Sequence, residues 1–220
     1  MSLLRSLKSI IPDKPRPMSI LRGPFRGARL ILSPRNSLRQ IFGLYEHELN
    51  SWIEQALPRI TQVLDVGASD GYFTYGCAAA MERLHKSVNI HAFEPSDLPV
   101  FHQTREQYPG IKLHRYYVGN GNSDTTITLN QFAKQCDPHN ALVKVDVEGM
   151  ELEVIEGATS WLNPTNLFLI EVHWDESFLT SLTNIFKQYG LTLNQVNQQP
   201  LPLIGRENRA ANSWWLVSEL

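Results

Sequence analysis

The segment Val63-Leu64-Asp65-Val66-Gly67-Ala68-Ser69-Asp70-Gly71-Tyr72-Phe73-Thr74 sets acids and glycines where a buried strand runs into a tight turn and then a helix. Asp65 stands at the strand's carboxyl end, the edge at which open α/β sheets bind their ligands. Gly67 and Gly71 let the backbone turn sharply and approach a ligand closely. A dinucleotide site would carry G-x-G-x-x-G, with a helix N-terminus facing a pyrophosphate. Here the pattern is D-x-G-x-x-x-G, with Ser69 in place of the central glycine and Asp70 inside the turn. Two carboxylates would repel a pyrophosphate. They suit an adenosine ligand with a cationic amino-acid end, such as S-adenosylmethionine. The plain alternative is a strand-turn-helix that binds nothing.

Three further clusters fall at strand ends. In His91-Ala92-Phe93-Glu94-Pro95, Glu94 lies 23 residues beyond Gly71, where an acid accepts hydrogen bonds from the two ribose hydroxyls of an adenosine cofactor. Both NAD and S-adenosylmethionine sites use this device. In Lys144-Val145-Asp146-Val147-Glu148-Gly149-Met150-Glu151, Asp146 and Glu148 sit at the ligand edge, and Gly149 permits a tight exit into a helix. Glu151 falls in that helix's first turn, where the dipole favours an acid, so it reads as capping. Glu153 and Glu156 read as solvated. In Leu169-Ile170-Glu171-Val172-His173, a neutral His173 could take a proton from a substrate hydroxyl, or be purely structural.

Strands are expected at Gln62–Val66, Val88–Phe93, Lys112–Val118, Ala141–Val147 and Asn166–Val172. Helices are expected at Tyr72–Leu84, Asp97–Tyr108, Leu129–Cys136, Met150–Glu156 and Glu176–Tyr189. This alternation predicts an α/β fold, a mostly parallel sheet with helices on both faces. Leu191–Val196 and Trp214–Val217 have no helix-length pattern between them, so the sheet should finish antiparallel. A helix over Leu44–Leu57 precedes the first strand and stops at Pro58.

Residues 1–40 read as a proline-rich basic arm and 41–220 as the domain. Residues 1–39 hold nine Lys/Arg against Asp13, a charge of +8 that leaves −10 for the rest of a chain of net charge −2. The arm could meet phosphate, nucleic acid or an anionic lipid surface, or dock on its own acidic body, the reading preferred here. Aromatics scarcely interleave its charges, which argues against nucleic acid. Leu3, Leu4, Leu7, Ile10 and Ile11 could give weak membrane-surface contact. No apolar run is long enough to span a membrane, and no signal peptide is read at the start. Arg29–Leu32 could be a short strand. Cys77 and Cys136 match neither a disulfide framework nor a metal spacing, and a reducing cytoplasm is inferred. Asp146 and Glu148 are too few and too close in sequence to define a cation site, so no metal ligands are assigned.

Taken together, Phe42-Gly43-Leu44-Tyr45-Glu46, Val63–Thr74, Ala92-Phe93-Glu94-Pro95, Lys144–Glu151 with Gly157-Ala158, and Ile170-Glu171-Val172-His173 resemble the FkbM-type family of S-adenosylmethionine-dependent (class I) methyltransferases. The Asp-x-Glu-Gly-x-Glu run is its most specific mark. The resemblance implies a Rossmann-like seven-stranded sheet with an antiparallel last strand. It implies that Asp65 and Gly67 hold the methionine end of the cofactor, that Ser69 and Gly71 continue the turn, and that Glu94 binds ribose. Gly119 and Asn120 would lie near the adenine, and Asp146 would face the methionine amino group or the substrate. The family more often has Asn where Ser69-Asp70 stands, so Asp70 departs from it.

The family's acceptors are hydroxyl groups of sugars, polyketides or other metabolites, which implies O-methylation of a small-molecule or glycan acceptor here. His173, helped by Asp146 or Glu148, is then the expected base. The segments Tyr117–Thr125 and Val196–Ser213 and the arm would select the acceptor, and Arg206, Asn208 and Arg209 hint at an anionic or sugar one. Two other readings are a non-catalytic cofactor-binding module that docks a partner through the arm, and an NAD-dependent oxidoreductase. Ser69 disfavours the second.

Overall fold

Strands buried on both faces read as near-continuous apolar runs, and QVLDV and ALVKV are such runs. A computed structural model describes residues 11–173, 176–202, 205 and 214–220. Its strands are β1 Arg16–Ser19, β2 Arg29–Leu32, β3 Gln62–Val66, β4 Asn89–Phe93, β5 Lys112–His114, β6 Tyr117–Val118, β7 Thr126–Ile127, β8 Ala141–Val145, β9 Leu167–Val172, β10 Leu193–Val196 and β11 Trp214–Ser218. Seven of them form the central sheet in the order β10-β11-β9-β8-β3-β4-β5. β3, β4, β5, β8 and β9 are parallel, and β11 runs antiparallel to both β9 and β10. The expected seven strands and antiparallel last strand are both present.

The sheet divides two cores with the period of two that strands impose. Val63 and Leu142 face one, with Phe73, Cys77 and Ala80 of the helix Tyr72–Arg83. Leu64 and Val143 face the other, with Val154 and Ile155 of the helix Glu151–Glu156 and Leu182 and Phe186 of the helix Glu176–Gln188.

The sequence set residues 1–40 apart by charge and proline, yet Ile20, Phe25, Leu30 and Leu32 join the first core. β1, which the prolines concealed, pairs antiparallel with β2, and Pro17 is tolerated on this two-stranded ribbon. The Ile31 amide donates to Thr104 Oγ1 at 3.1 Å and the Arg29 amide to the Tyr108 hydroxyl at 2.9 Å. Residues 16–40 therefore dock on the body through apolar side chains. Residues 1–10 lie outside the described residues, and so do Arg206, Asn208 and Arg209. Among the described residues, no helix is long and apolar enough to cross a membrane.

Several expected elements differ: the helices Asp97–Tyr108 and Leu129–Cys136 shorten to Pro99–Arg105 and Leu129–Phe132, the strand Ala141–Val147 ends at Val145, and two others change more. The strand Lys112–Val118 breaks after His114, and Tyr117–Val118 instead pairs with Thr126–Ile127 in a separate ribbon. Arg115 leaves the sheet to bind Asp97 at 3.1 Å. The helix Leu44–Leu57 begins only at Asn50, after a 3₁₀ turn, because Glu46 holds a left-handed φ of 50°.

Beneath the edge of the sheet, His91 Nδ1 and His114 Nε2 lie 3.0 Å apart, their rings packed against Phe93 and Phe132. Burial, then the neighbouring His114 and Lys112, push His91 down to about 4. The unfolded chain takes up a proton on this residue near pH 6.5, and the folded chain resists it until about pH 4. Stability from His91 is therefore complete above pH 6.5 and lost as the pH falls from there to about 4, some 2 kcal/mol at pH 5. Urea unfolding at pH 8 and pH 5 should show this loss in the wild type and a smaller one in His91→Phe. Equal losses would contradict it.

Candidate active site

The turn after β3 is held by the end of β4: the Gly67 and Ala68 amides donate to the Phe93 carbonyl at 3.0 and 3.1 Å. Gly67 has a φ of 80°, and a Cβ there would lie 1.8 Å from the Asp146 carbonyl oxygen. At Gly71 (φ 87°) a Cβ would meet the Tyr75 ring at 2.3 Å. Asp70, unexplained by the resemblance, accepts the Tyr72 amide at 3.0 Å and so satisfies a donor at the helix start. Glu94 is fixed from both sides: Oε2 accepts the Ser69 amide at 3.0 Å and Oε1 the Ser96 amide at 2.8 Å.

Two cavities open at the carboxyl edge of the sheet. The larger, about 610 Å³, is bounded by Gly67, Ser69, Asp70, Glu94, Lys144, Asp146, Glu148, Glu171 and His173, with Tyr45 and Glu46 closing one side. The second, about 570 Å³, is bounded by Val66, Phe93, Val118, Gly119, Asn120, Val147 and Met150. Gly67, Pro95, Tyr117 and Val147 line both, so the two are continuous. Tyr45 and Glu46 of the segment 42–46, with Ser69, Glu94, Asp146, Glu148 and His173, thus converge on one space, and Gly119 and Asn120 border the apolar space beside it. Glu46, Ser69 and Glu148, all on the larger cavity, hold left-handed φ values of 50°, 48° and 53°. Such strain in non-glycine residues concentrates at functional sites.

Asp65 departs from expectation. It is fully buried and lines neither cavity, so it cannot reach the methionine end of a ligand directly. Its carboxylate accepts the Thr74 hydroxyl and pairs with Lys144 Nζ at 3.4 Å. Lys144 also binds Asp146 Oδ2 at 3.1 Å and the Gly67 carbonyl at 3.4 Å. Burial alone would lower the lysine's pKa, but the carboxylates of Asp146 and Asp65 outweigh it and hold the ammonium protonated. β3, β8 and the glycine turn are thereby tied to one charge. The sequence reading missed Lys144, although β3 and β8 pair with Asp65 directly opposite it.

His173 departs too. Its Nδ1–H donates to Glu151 at 2.5 Å, while Nε2 lies 3.9 Å from Asp146 Oδ1, Glu148 Oε2 and Glu171 Oε2. The Glu151 hydrogen bond, against the opposing effect of burial, and then the Glu171 and Asp146 charges hold its pKa up at about 9. The neutral base expected from the sequence is therefore a cation at pH 7. Glu151, read as a capping acid, does accept the Gly149 amide at 3.0 Å, but it is fully buried and its main partner is His173.

The chain matches no protein-family model and no curated protein. Among solved structures it is similar to the delta-N METTL16 MTase domain, at TM-score 0.53 and 15% identity over 84% of this chain and 92% of that one. It is also similar to a second form of the METTL16 MTase domain, at TM-score 0.50 and 12% identity over 77% and 66% of the two chains. A precorrin-6y C5,15-methyltransferase from Geobacter metallireducens aligns at TM-score 0.48 and 12% identity over 75% and 85%. With the strand order above, the first likeness shows the fold: the molecule has the Rossmann-like fold of methyltransferases.

Proposed function

We propose that the chain is an S-adenosylmethionine-dependent methyltransferase that acts on a hydroxyl group of a small-molecule or glycan acceptor, as its FkbM-type resemblance implies. The observation that carries the reading is Glu94, a carboxylate on the larger of two continuous cavities, locked there by two backbone amides. Each oxygen spends one lone pair on the backbone and keeps another for a ribose hydroxyl. The flanking spaces fit the rest of the cofactor: an apolar one by Val66, Val118, Val147 and Met150 for adenine, beside Gly119 and Asn120, and a polar one over the Gly67–Asp70 turn for the methionine end. Asp146 would accept from the methionine ammonium, and the Lys144 ammonium would face its carboxylate. Asp65 contributes by holding Lys144.

When bound, the cofactor supplies a methyl group on a positively charged sulfur. The chain's own task is mostly positional, since holding an acceptor oxygen in line at near-attack distance is worth several kcal/mol, roughly 7–11 in favourable cases. Asp146, Glu148 and His173 face the larger cavity from the ends of β8 and β9, and the carboxylate oxygens can accept the acceptor's hydroxyl proton. The acidic wall suits an uncharged or cationic acceptor better than a polyanion such as a nucleic acid.

Calorimetry with S-adenosylhomocysteine, S-adenosylmethionine and NAD tests the reading. The two sulfur compounds should bind and NAD should not. Glu94→Gln should weaken S-adenosylhomocysteine roughly 10–100-fold, the value of hydrogen bonds to a charged group. Binding of NAD alone would sink the proposal in favour of an oxidoreductase. Binding of none of the three would favour a module that works through its surface.

A further inference from the structure

We infer that Asp146, Glu171 and His173 form a binding site for one divalent first-row metal ion, with Mn²⁺ as its natural probe. Asp146 follows β8, Glu171 lies in the neighbouring β9, and His173 follows β9 two residues on, so the three reach the same edge of the sheet. One donor atom from each lies within 4.8 Å of the others, and Nε2 of His173 stands 3.9 Å from a carboxylate oxygen of each acid. That spacing is too long for hydrogen bonds. The centre of such a triangle is roughly 2.5 Å from each corner, close to ordinary metal–oxygen and metal–nitrogen lengths.

The imidazole is also oriented as a ligand. Metal-binding histidines almost always donate their second ring N–H to a carboxylate or carbonyl, which fixes the tautomer. Here Nδ1–H is given to Glu151 at 2.5 Å, and Glu151 is fully buried, so Nε2 is the ring atom aimed at the two acids, and a metal ion bound there displaces the proton that Nε2 carries in its absence. Glu151 is a positioning residue for the site, and it is itself fixed by the Gly149 amide at 3.0 Å. One imidazole with two carboxylates suits Mn²⁺, Fe²⁺ or Zn²⁺ over thiolate-seeking ions. The larger cavity reaches all three ligands, which leaves coordination positions for water or for an acceptor oxygen.

Metal binding itself stands on this geometry alone. Its use rests on the methyl-transfer reading. An acceptor hydroxyl bound to the ion is acidified. Its O–H bond breaks and the proton passes to the Glu148 carboxylate and on to water. The O–CH₃ bond then forms as the methyl–sulfur bond breaks, and the electron pair stays on sulfur.

The test is titration of the metal-free full chain with Mn²⁺ alone, followed by electron paramagnetic resonance, with S-adenosylhomocysteine binding measured separately in the presence of a chelator. One Mn²⁺ should bind per chain at submillimolar concentration. Glu171→Gln and His173→Asn should each weaken it at least 10-fold, and Glu151→Gln should weaken it about 10-fold through the imidazole. Thermal melts identify any variant that fails to fold, and the other two then decide. Absence of saturable binding, or binding that all three variants leave unchanged, overturns the site. Either result leaves the S-adenosylhomocysteine measurement to judge the methyltransferase reading independently.

Discussion

Lys144→Met should lower the stability of the fold by about 3–5 kcal/mol, the usual consequence of breaking a buried ion pair from one side. For a chain of this size that is a fall of roughly 6–20 °C in Tm. Methionine fits the lysine's volume and packs on Phe73, whose ring lies 5.7 Å from Nζ, so little of the loss would come from a cavity. What remains is the Asp65 carboxylate, fully buried, with the Thr74 hydroxyl as its remaining hydrogen-bond donor. Removing that charge should restore much of the loss, so Asp65→Asn combined with Lys144→Met should be more stable than Lys144→Met alone. The pH dependence has a definite sign. In the single variant, burial keeps the Asp65 carboxyl protonated to higher pH than in the unfolded chain, so the deficit should shrink as the pH is lowered towards the carboxylate range. Urea unfolding of the three proteins at pH 7 and pH 5 decides the matter. A single-variant deficit under about 1 kcal/mol, the range of exposed ion pairs, would show that Lys144 is a surface charge in practice.

This ion pair also marks where sequence reading reached its limit. The strand-turn-helix at Val63–Thr74, the acids at Glu94 and Asp146 and the antiparallel finish were legible because each is written in contiguous residues: an apolar run, a glycine, an acid at a strand end. The partners were not, because they are set by pairing between strands. Asp65 opposite Lys144 is a register fact, invisible until β3 lies beside β8. Glu151 looked like an ordinary first-turn acid, and nothing local says that it is buried against His173. One signal was available and unread: Glu171 and His173 are two residues apart, and alternate positions of an extended chain share a face. The same holds for Lys144 and Asp146. β1 escaped notice because prolines dominate its surroundings. The first 40 residues looked separable because charge and proline dominate their composition, while the burial of Ile20, Phe25, Leu30 and Leu32 ties residues 16–40 to the core.

The glycine turn allows the sharper test of the cofactor site. Gly67→Ala should destabilise the chain by roughly 2–5 kcal/mol and reduce S-adenosylhomocysteine binding beyond detection. Two separate effects combine. An L-residue at a φ of 80° is strained, at about 1–2 kcal/mol. The larger effect is steric, since the new Cβ would lie 1.8 Å from the Asp146 carbonyl oxygen and 2.9 Å from its carbon. Those atoms are backbone and cannot swing aside, so β8 must move away from the turn or the turn must flatten. Either movement breaks the Asp146 amide's bond to the Val66 carbonyl, 3.0 Å in the native fold, and carries Asp146 and Lys144 away from the cavity. Gly27→Ala separates strain from collision: its φ is 89°, yet nothing lies within 4 Å of the added Cβ. It should cost about 1–2 kcal/mol and leave cofactor affinity unchanged. Equal effects of the two substitutions, on stability and on binding, would show that the close approach of the turn to β8 plays no part in forming the site.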